Sequence, residues 1–182
     1  MLKLFRSKKL DHLFEKRRER LIRLALSWCH DAMLADDLVQ DTLDKALRKS
    51  HQLSDIEKLD AWLFRILHNC WMEYLRRYKP TLDLDDNEEL DDETPDSNLS
   101  DEQLVMRVRH AVSELPMSQR QVITLVDLEG FTYSDVSDVL DIPIGTVMSR
   151  LNRARTTLKK RLIGLRKETA SFKQKEYLRS VK

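Results

Sequence analysis

Residues 118–162 read SQRQVITLVDLEGFTYSDVSDVLDIPIGTVMSRLNRARTTLKKRL, and the fold turns on two helical periods separated by a stretch too short for anything but a tight turn. Val136, Val139 and Leu140 recur on one side of the first, Asp141-Ile142-Pro143 interrupts it, and Val147, Leu151, Ala154 and Leu158 resume the period. Thr132 followed by Asp135 has the spacing of a capping box, in which hydroxyl and carboxylate each satisfy an unpaired backbone N–H at a helix start. Pro143 suits the first turn of the second helix, where its missing N–H costs nothing. The pattern is a helix-turn-helix.

With those apolar positions turned inward, Thr146, Ser149, Arg150, Asn152, Arg153 and Lys159 form an outward stripe of donors. Arg pairs bidentately with guanine edges and Ser or Thr suits phosphates, so the stripe is shaped for a DNA major groove. A merely solvated basic face is the alternative. The capped helix and tight turn in front of it favour DNA.

The run LEGFTYSDVSDVLDIPIGTVMSRLNRAR, residues 128–155, resembles the promoter-reading C-terminal domain of bacterial sigma factors, above all the extracytoplasmic-function group. The resemblance implies contacts to the −35 duplex from Thr146, Ser149, Arg150, Asn152, Arg153 and Arg155. Three residues depart from the family pattern: Ser137 where Ala is usual, Asp141 where Gly is common, and Met148 where Lys or Arg is usual. The first two bear on packing and the turn, the third on a DNA contact.

Composition narrows the rest. Three Gly and four Pro in 182 residues leave too little punctuation for a β-rich fold. Lys and Arg number 32 against 31 Asp and Glu, a net charge of +1 that conceals strong segregation. Residues 145–182 hold twelve Lys or Arg against two Glu, net +10, whereas 80–106 hold eleven Asp or Glu and no Lys or Arg, net −11. Such blocks predict separate surfaces for separate partners. No apolar run reaches membrane-spanning length, MLKLFRSKKL is too short in its apolar part for a signal peptide, and Cys29 and Cys70 form no CxxC pair, so a cytoplasmic protein without membrane insertion is expected.

Upstream, three amphipathic helices are predicted. The first spans Leu10 to Cys29, burying Leu13, Phe14, Leu21, Leu24, Ala25 and Trp28; the second spans about Leu34 to Lys49, burying Leu34, Leu38, Leu43, Ala46 and Leu47. The third spans about Asp60 to Tyr78, burying Trp62, Leu63, Ile66, Cys70 and Tyr74, with Trp71 evenly poised between core and surface. DDLVQDTLDKAL, residues 36–47, resembles the family's polymerase-binding helix, and AWLFRILHNCWMEYLRR, residues 61–77, its promoter-melting helix. The resemblance implies that Asp37, Gln40 and Asp41 contact the clamp of the largest subunit of core RNA polymerase, where short carboxylates suit basic partner helices. It further implies that the polar, irregular loop 49–59, with His51 and Gln52, captures a flipped −10 base, flanked by Arg65, Asn69, Arg76 and Arg77.

Residues 80–99, PTLDLDDNEELDDETPDSNL, lack an apolar period and read as a flexible acidic linker. Ser100 with Gln103, and Ser118 with Gln121, have capping-box spacing. The first helix of the second domain buries Leu104, Val105, Val108, Ala111 and Val112; the next runs through Val122, Ile123 and Val126 until Gly130.

Cys29, His30, His68 and Cys70 invite a metal reading, but adjacent helix positions point about 100° apart, so no metal site is expected. No HExxH, GxxxxGK or GxSxG occurs, so neither an enzyme nor a cofactor is implied. The expected protein is all-α. A three-helix domain (10–79) that binds polymerase and melts the −10 element is joined by the linker (80–99) to a four-helix, −35-reading helix-turn-helix domain (100–165), followed by a basic tail (166–182). The function expected from the resemblance is that of a non-enzymatic sigma factor binding core RNA polymerase and promoter DNA, with an anti-sigma factor as a possible further partner. The alternative is a helix-turn-helix regulator acting without being a polymerase subunit, which predicts a dimer on palindromic sites.

Overall fold

The protein is described by a computed structural model covering residues 2–53, 55–78 and 101–180, with side chains over 12–53, 55–78 and 105–162. The acidic stretch 80–99 lies outside them. Among the described residues there are seven α-helices and no strand: α1 (Leu2–Cys29), α2 (Ala32–Arg48), α3 (Leu59–Tyr78), α4 (Asp101–Ser113), α5 (Met117–Ile123), α6 (Tyr133–Leu140) and α7 (Ile144–Ser180).

The first three helices form as their periodicity dictates. Phe14, Leu21, Leu24, Ala25 and Trp28 of α1 are buried, and α1 packs chiefly on α2, which packs in turn on α3. His30 ends α1 with a left-handed backbone (φ 57°), its N–H reaching Leu26 O at 3.0 Å. Asp31 then caps α2, its carboxylate accepting from the Met33 and Leu34 amides. Leu47 is 41% exposed, not core; the buried side of α2 is Ala35, Leu38, Val39, Thr42 and Ala46. The loop before α3 is less irregular than its polarity suggests, because two 3₁₀ turns, Ser50–Gln52 and Ile56–Lys58, flank the buried Leu53.

In the second half, α5 and α6 pack against α7. The expected cap at Ser118 does not form: α5 starts at Met117 after Pro116, and Ser118 is buried in its first turn. Val105 of α4 is 48% exposed, while Ala111 is buried. After α5 the helix widens into a π-helical turn, Thr124–Leu128, and Gly130 (φ 74°) reverses the chain, with Phe131 N donating to Leu125 O at 3.1 Å. The basic tail continues α7 as helix to Ser180.

The two halves do not stand apart. A single apolar cluster runs from Phe14 and Leu21 through Phe64 and Leu67 to Leu125, Val136 and Leu151. α6 packs against α3, and α5 against α1. Phe64 and Phe131 meet edge to face with centroids 5.2 Å apart, and Trp28 Nε1 donates to Thr124 Oγ1 at 3.1 Å. Arg20 is the polar hub: it pairs with Asp60 and Glu129, donates to Glu129 O at 2.9 Å, and lies over the rings of Phe64 and Phe131 at 5.2 and 5.7 Å. Each aromatic contact of this kind contributes on the order of 0.5–1.5 kcal/mol beyond area burial.

Candidate nucleic-acid and polymerase interfaces

The helix-turn-helix is built as its spacing predicts. Thr132 Oγ1 accepts from Asp135 N at 3.1 Å, and the Asp135 carboxylate accepts from Thr132 N at 3.2 Å, closing the capping box of α6. Asp141 ends α6 in the left-handed region (φ 55°, ψ 48°), a conformation that Asp tolerates better than most non-glycine residues. Ser137 then has a role that Ala could not fill, since its hydroxyl donates to Ile142 O at 2.6 Å and pins the turn. Pro143 sits one residue before α7, its carbonyl accepting from Thr146 N and Val147 N at 2.8 and 3.1 Å.

Along α7, Val147, Leu151 and Ala154 are buried and Leu158 half-buried, so the outward face carries Ser149, Asn152 and Arg153, all exposed. Thr146 and Arg150 flank that face and are half-buried. The Ser149 hydroxyl donates back to Thr146 O at 3.0 Å. Arg155 is exposed but engaged: Nε and Nη2 donate to the two oxygens of Asp127 at 3.1 and 2.6 Å. Met148 is 53% exposed and offers no donor.

On α2, Asp37, Gln40, Asp41 and Asp44 follow the i, i+3, i+4, i+7 pattern and are all exposed. Among the described residues no ion pair engages the three carboxylates, whereas Asp36 is turned into a pair with Arg18 at 2.7 Å. On α3, Arg65, Asn69 and Arg76 share one exposed face. Arg77 departs from it to meet Glu73 at 3.5 Å, and Glu73 also accepts from Lys45 at 2.9 Å. Lys45 holds the Glu73 carboxyl below its usual range. His51 and Gln52 are exposed in the first 3₁₀ turn before α3. Trp62 is half-buried against Phe14, and Trp71 is buried, stacked on Tyr74 at 5.7 Å.

Polar groups also bridge the two halves. His68 of α3 lies edge to face with Trp28 at 6.1 Å, and Gln121 Nε2 donates to its Nδ1 at 3.4 Å. Burial pushes the His68 imidazole down to about 4, against a small opposing pull from Asp141. Arg120 bonds to His30 and donates to Ser113 O; burial first and Arg120 second push the His30 imidazole down. Arg20, Glu129 and Asp127 carry no signal in the sequence, while His68 and Gln121 stand out there only as a metal-ligand candidate and a capping-box residue, not as the buried pair they form. Each acts through a partner at least 28 positions away, beyond the reach of local spacing.

Among the described residues no helix is long and apolar enough to cross a membrane. The chain matches two family models, Sigma-70 region 2 over residues 13–81 and Sigma-70, region 4 over residues 106–158. It is 33% identical over 156 residues to the ECF RNA polymerase sigma factor SigM of Mycobacterium tuberculosis, covering 85% of this chain and 76% of that one. It is 29% identical over 170 residues to the RNA polymerase sigma-H factor of Pseudomonas aeruginosa, covering 87% and 88%. Among solved structures it resembles the sigma factor RpoE of Bartonella quintana in complex with the anti-sigma factor NepR, with TM-score 0.67, 29% identity, and 85% of this chain and 97% of that one covered. It also resembles CnrH in complex with the cytosolic domain of CnrY, with TM-score 0.59, 25% identity and coverage of 85% and 87%.

Proposed function

This chain belongs to the extracytoplasmic-function (ECF) group of RNA polymerase sigma factors, and from that premise we propose how its surfaces divide the work of initiating transcription. α2 docks on the clamp of core polymerase through Asp37, Gln40 and Asp41, with Asp44 on the same face. α3 and the turn before it engage the −10 element through Arg65, Asn69, Arg76, His51 and Gln52, Arg77 taking part once released from Glu73. The start of α7 reads the −35 duplex through Ser149, Asn152 and Arg153, flanked by Thr146, Arg150 and Arg155. The protein works as a non-enzymatic subunit in the cytoplasm.

The observation that carries this division is the exposed acidic face of α2, engaged in no ion pair among the described residues, beside an α3 whose outer face is basic. A negative strip of short side chains on a rigid helix suits a basic protein partner and repels DNA; a positive strip does the reverse. The same arrangement supports an anti-sigma partner. The packing of α6 on α3 draws both DNA-reading modules into one body, while promoter elements read as two separated segments require them apart. An inhibitor that binds the closed arrangement keeps the factor idle, and core polymerase, by holding it open, releases it. The free factor accordingly binds promoters weakly.

Pull-down of core polymerase tests the assignment. Asp37→Ala, Gln40→Ala and Asp41→Ala combined are expected to abolish co-purification, while Arg153→Ala retains it and loses promoter-directed initiation. Retention of polymerase by the triple variant would remove α2 from the docking role.

A further inference from the structure

Arg155 and Asp127 form a bidentate pair across the helix-turn-helix, between α7 and the π-helical turn that precedes α6. The pair is not a buried strut: the side chains are 50% and 35% exposed. An ion pair so exposed contributes little to stability, on the order of 0–1 kcal/mol. Its geometry is nonetheless specific. One edge of the guanidinium, Nε and Nη2, is spent on the carboxylate; of the five N–H donors an arginine carries, three are not used by Asp127. The Asp127 carboxylate above all, and Tyr133, the first residue of α6, beside it, hold the guanidinium in its charged form. Arg155 therefore stands at the flank of α7 nearest the start of α6, with its fork oriented before any DNA arrives. On that flank, Met148 two turns earlier has no donor.

We propose that Asp127 is a positioning residue for duplex binding: it fixes Arg155 by one edge so that the opposite edge meets a phosphate of the DNA backbone, beside the groove entered by Ser149, Asn152 and Arg153. This rests on the reading of α7 as the duplex-reading helix. The physical gain is preorganisation. A free arginine side chain surrenders rotamer entropy of about 2 kcal/mol when it is fixed, and here Asp127 has already fixed it. The opposing effect is repulsion between the Asp127 carboxylate and the phosphate. The two effects have opposite signs on removing the carboxylate, which makes the proposal decidable.

A phosphate contact is independent of sequence, so the probe is a fluorescein-labelled duplex of about 25 base pairs and arbitrary sequence, titrated with the full chain by anisotropy between about 50 and 200 mM KCl. Arg155→Ala is expected to weaken binding about three- to tenfold and to flatten the dependence of log affinity on log salt by about one contact's worth. Asp127→Asn is expected to weaken it by a similar factor, Asp127→Glu to restore most of the loss, and the double variant Asp127→Asn, Arg155→Ala to be no worse than Arg155→Ala alone. Thermal melting and circular dichroism unchanged across the set separate this from misfolding. Tighter binding by Asp127→Asn would overturn the proposal, since the carboxylate would then be masking Arg155. Loss of binding with Arg153→Ala but not with Arg155→Ala or Asp127→Asn would overturn it while leaving α7 as the reading helix. Indifference to Arg150→Ala, Arg153→Ala and Arg155→Ala alike would overturn the reading of α7 itself.

Discussion

Replacing Arg20 by Ala should loosen the two halves without dissolving either. Arg20 joins Asp60 of its own half to Glu129 of the other and lies against both Phe64 and Phe131. Its side chain and that of Asp60 are near 30% exposed, whereas Glu129 is only 10% exposed. Breaking a fully buried pair costs about 3–5 kcal/mol, and partial solvent screening at Arg20 and Asp60 lowers that. With the two ring contacts included, the loss is roughly 2–3 kcal/mol. That is a shift of about 30- to 150-fold in the balance between closed and open arrangements. Arg23→Ala is the matched control, since its pair with Glu19 spans 3.9 Å between side chains 65% and 90% exposed, and it should change nothing beyond about 0.5 kcal/mol. Small-angle scattering on Arg20→Ala should show a larger radius of gyration, hydrogen exchange should quicken in α5 and α6, and helix content should persist. If Arg20→Ala scatters and unfolds like Arg23→Ala, the idea that this hub holds the halves together is wrong.

Three further outcomes follow from the same structure. His68 is neutral when folded, with its pKa pushed down to about 4 from an ordinary 6.5; the unfolded chain therefore binds the extra proton first, and stability is flat above about pH 6.5 and declines as pH falls toward 4, by roughly 3 kcal/mol in total from this group. Urea midpoints against pH should show that decline in the parent and a shallower one in His68→Gln; parallel curves would discharge His68. Asp141→Gly removes a left-handed non-glycine residue and should leave stability unchanged or raise it by up to about 1 kcal/mol, while Asp141→Val lowers it, as read by thermal melting. Thr132→Ala removes the N-cap of α6 and should cost about 1 kcal/mol in the same measurement, an unchanged melting point arguing against the cap.

Local chemistry was legible in the sequence. The Thr132–Asp135 box, the break at Asp141 to Pro143 and the inward phase of Val136, Val139, Val147 and Leu151 depend on neighbours within one or two turns, and each stands where its spacing predicts. Ser118 failed the same test because α5 begins at Met117, with Pro116 in the N-cap position, so that Ser118 already lies inside its first turn. Leu47 and Val105 failed because one more apolar residue at a helix edge fits the period without being needed in the core. The packing of the halves was not legible, since Trp28 meets Thr124, and Phe64 meets Phe131, across 96 and 67 positions with no local pattern to announce it. For the candidate sites the residue types were readable but their engagement was not. Arg77 turns to Glu73 and Arg155 to Asp127, whereas Asp37, Gln40 and Asp41 stay exposed as their helical spacing implies.

Run-off transcription on genomic fragments, with core RNA polymerase and the purified protein as the only sigma source, tests the central claim most directly. Defined start sites preceded by shared −35 and −10 segments should appear only when the protein is added, and should vanish with the Asp37, Gln40, Asp41 triple variant. Transcripts that are the same with and without the protein would contradict the account.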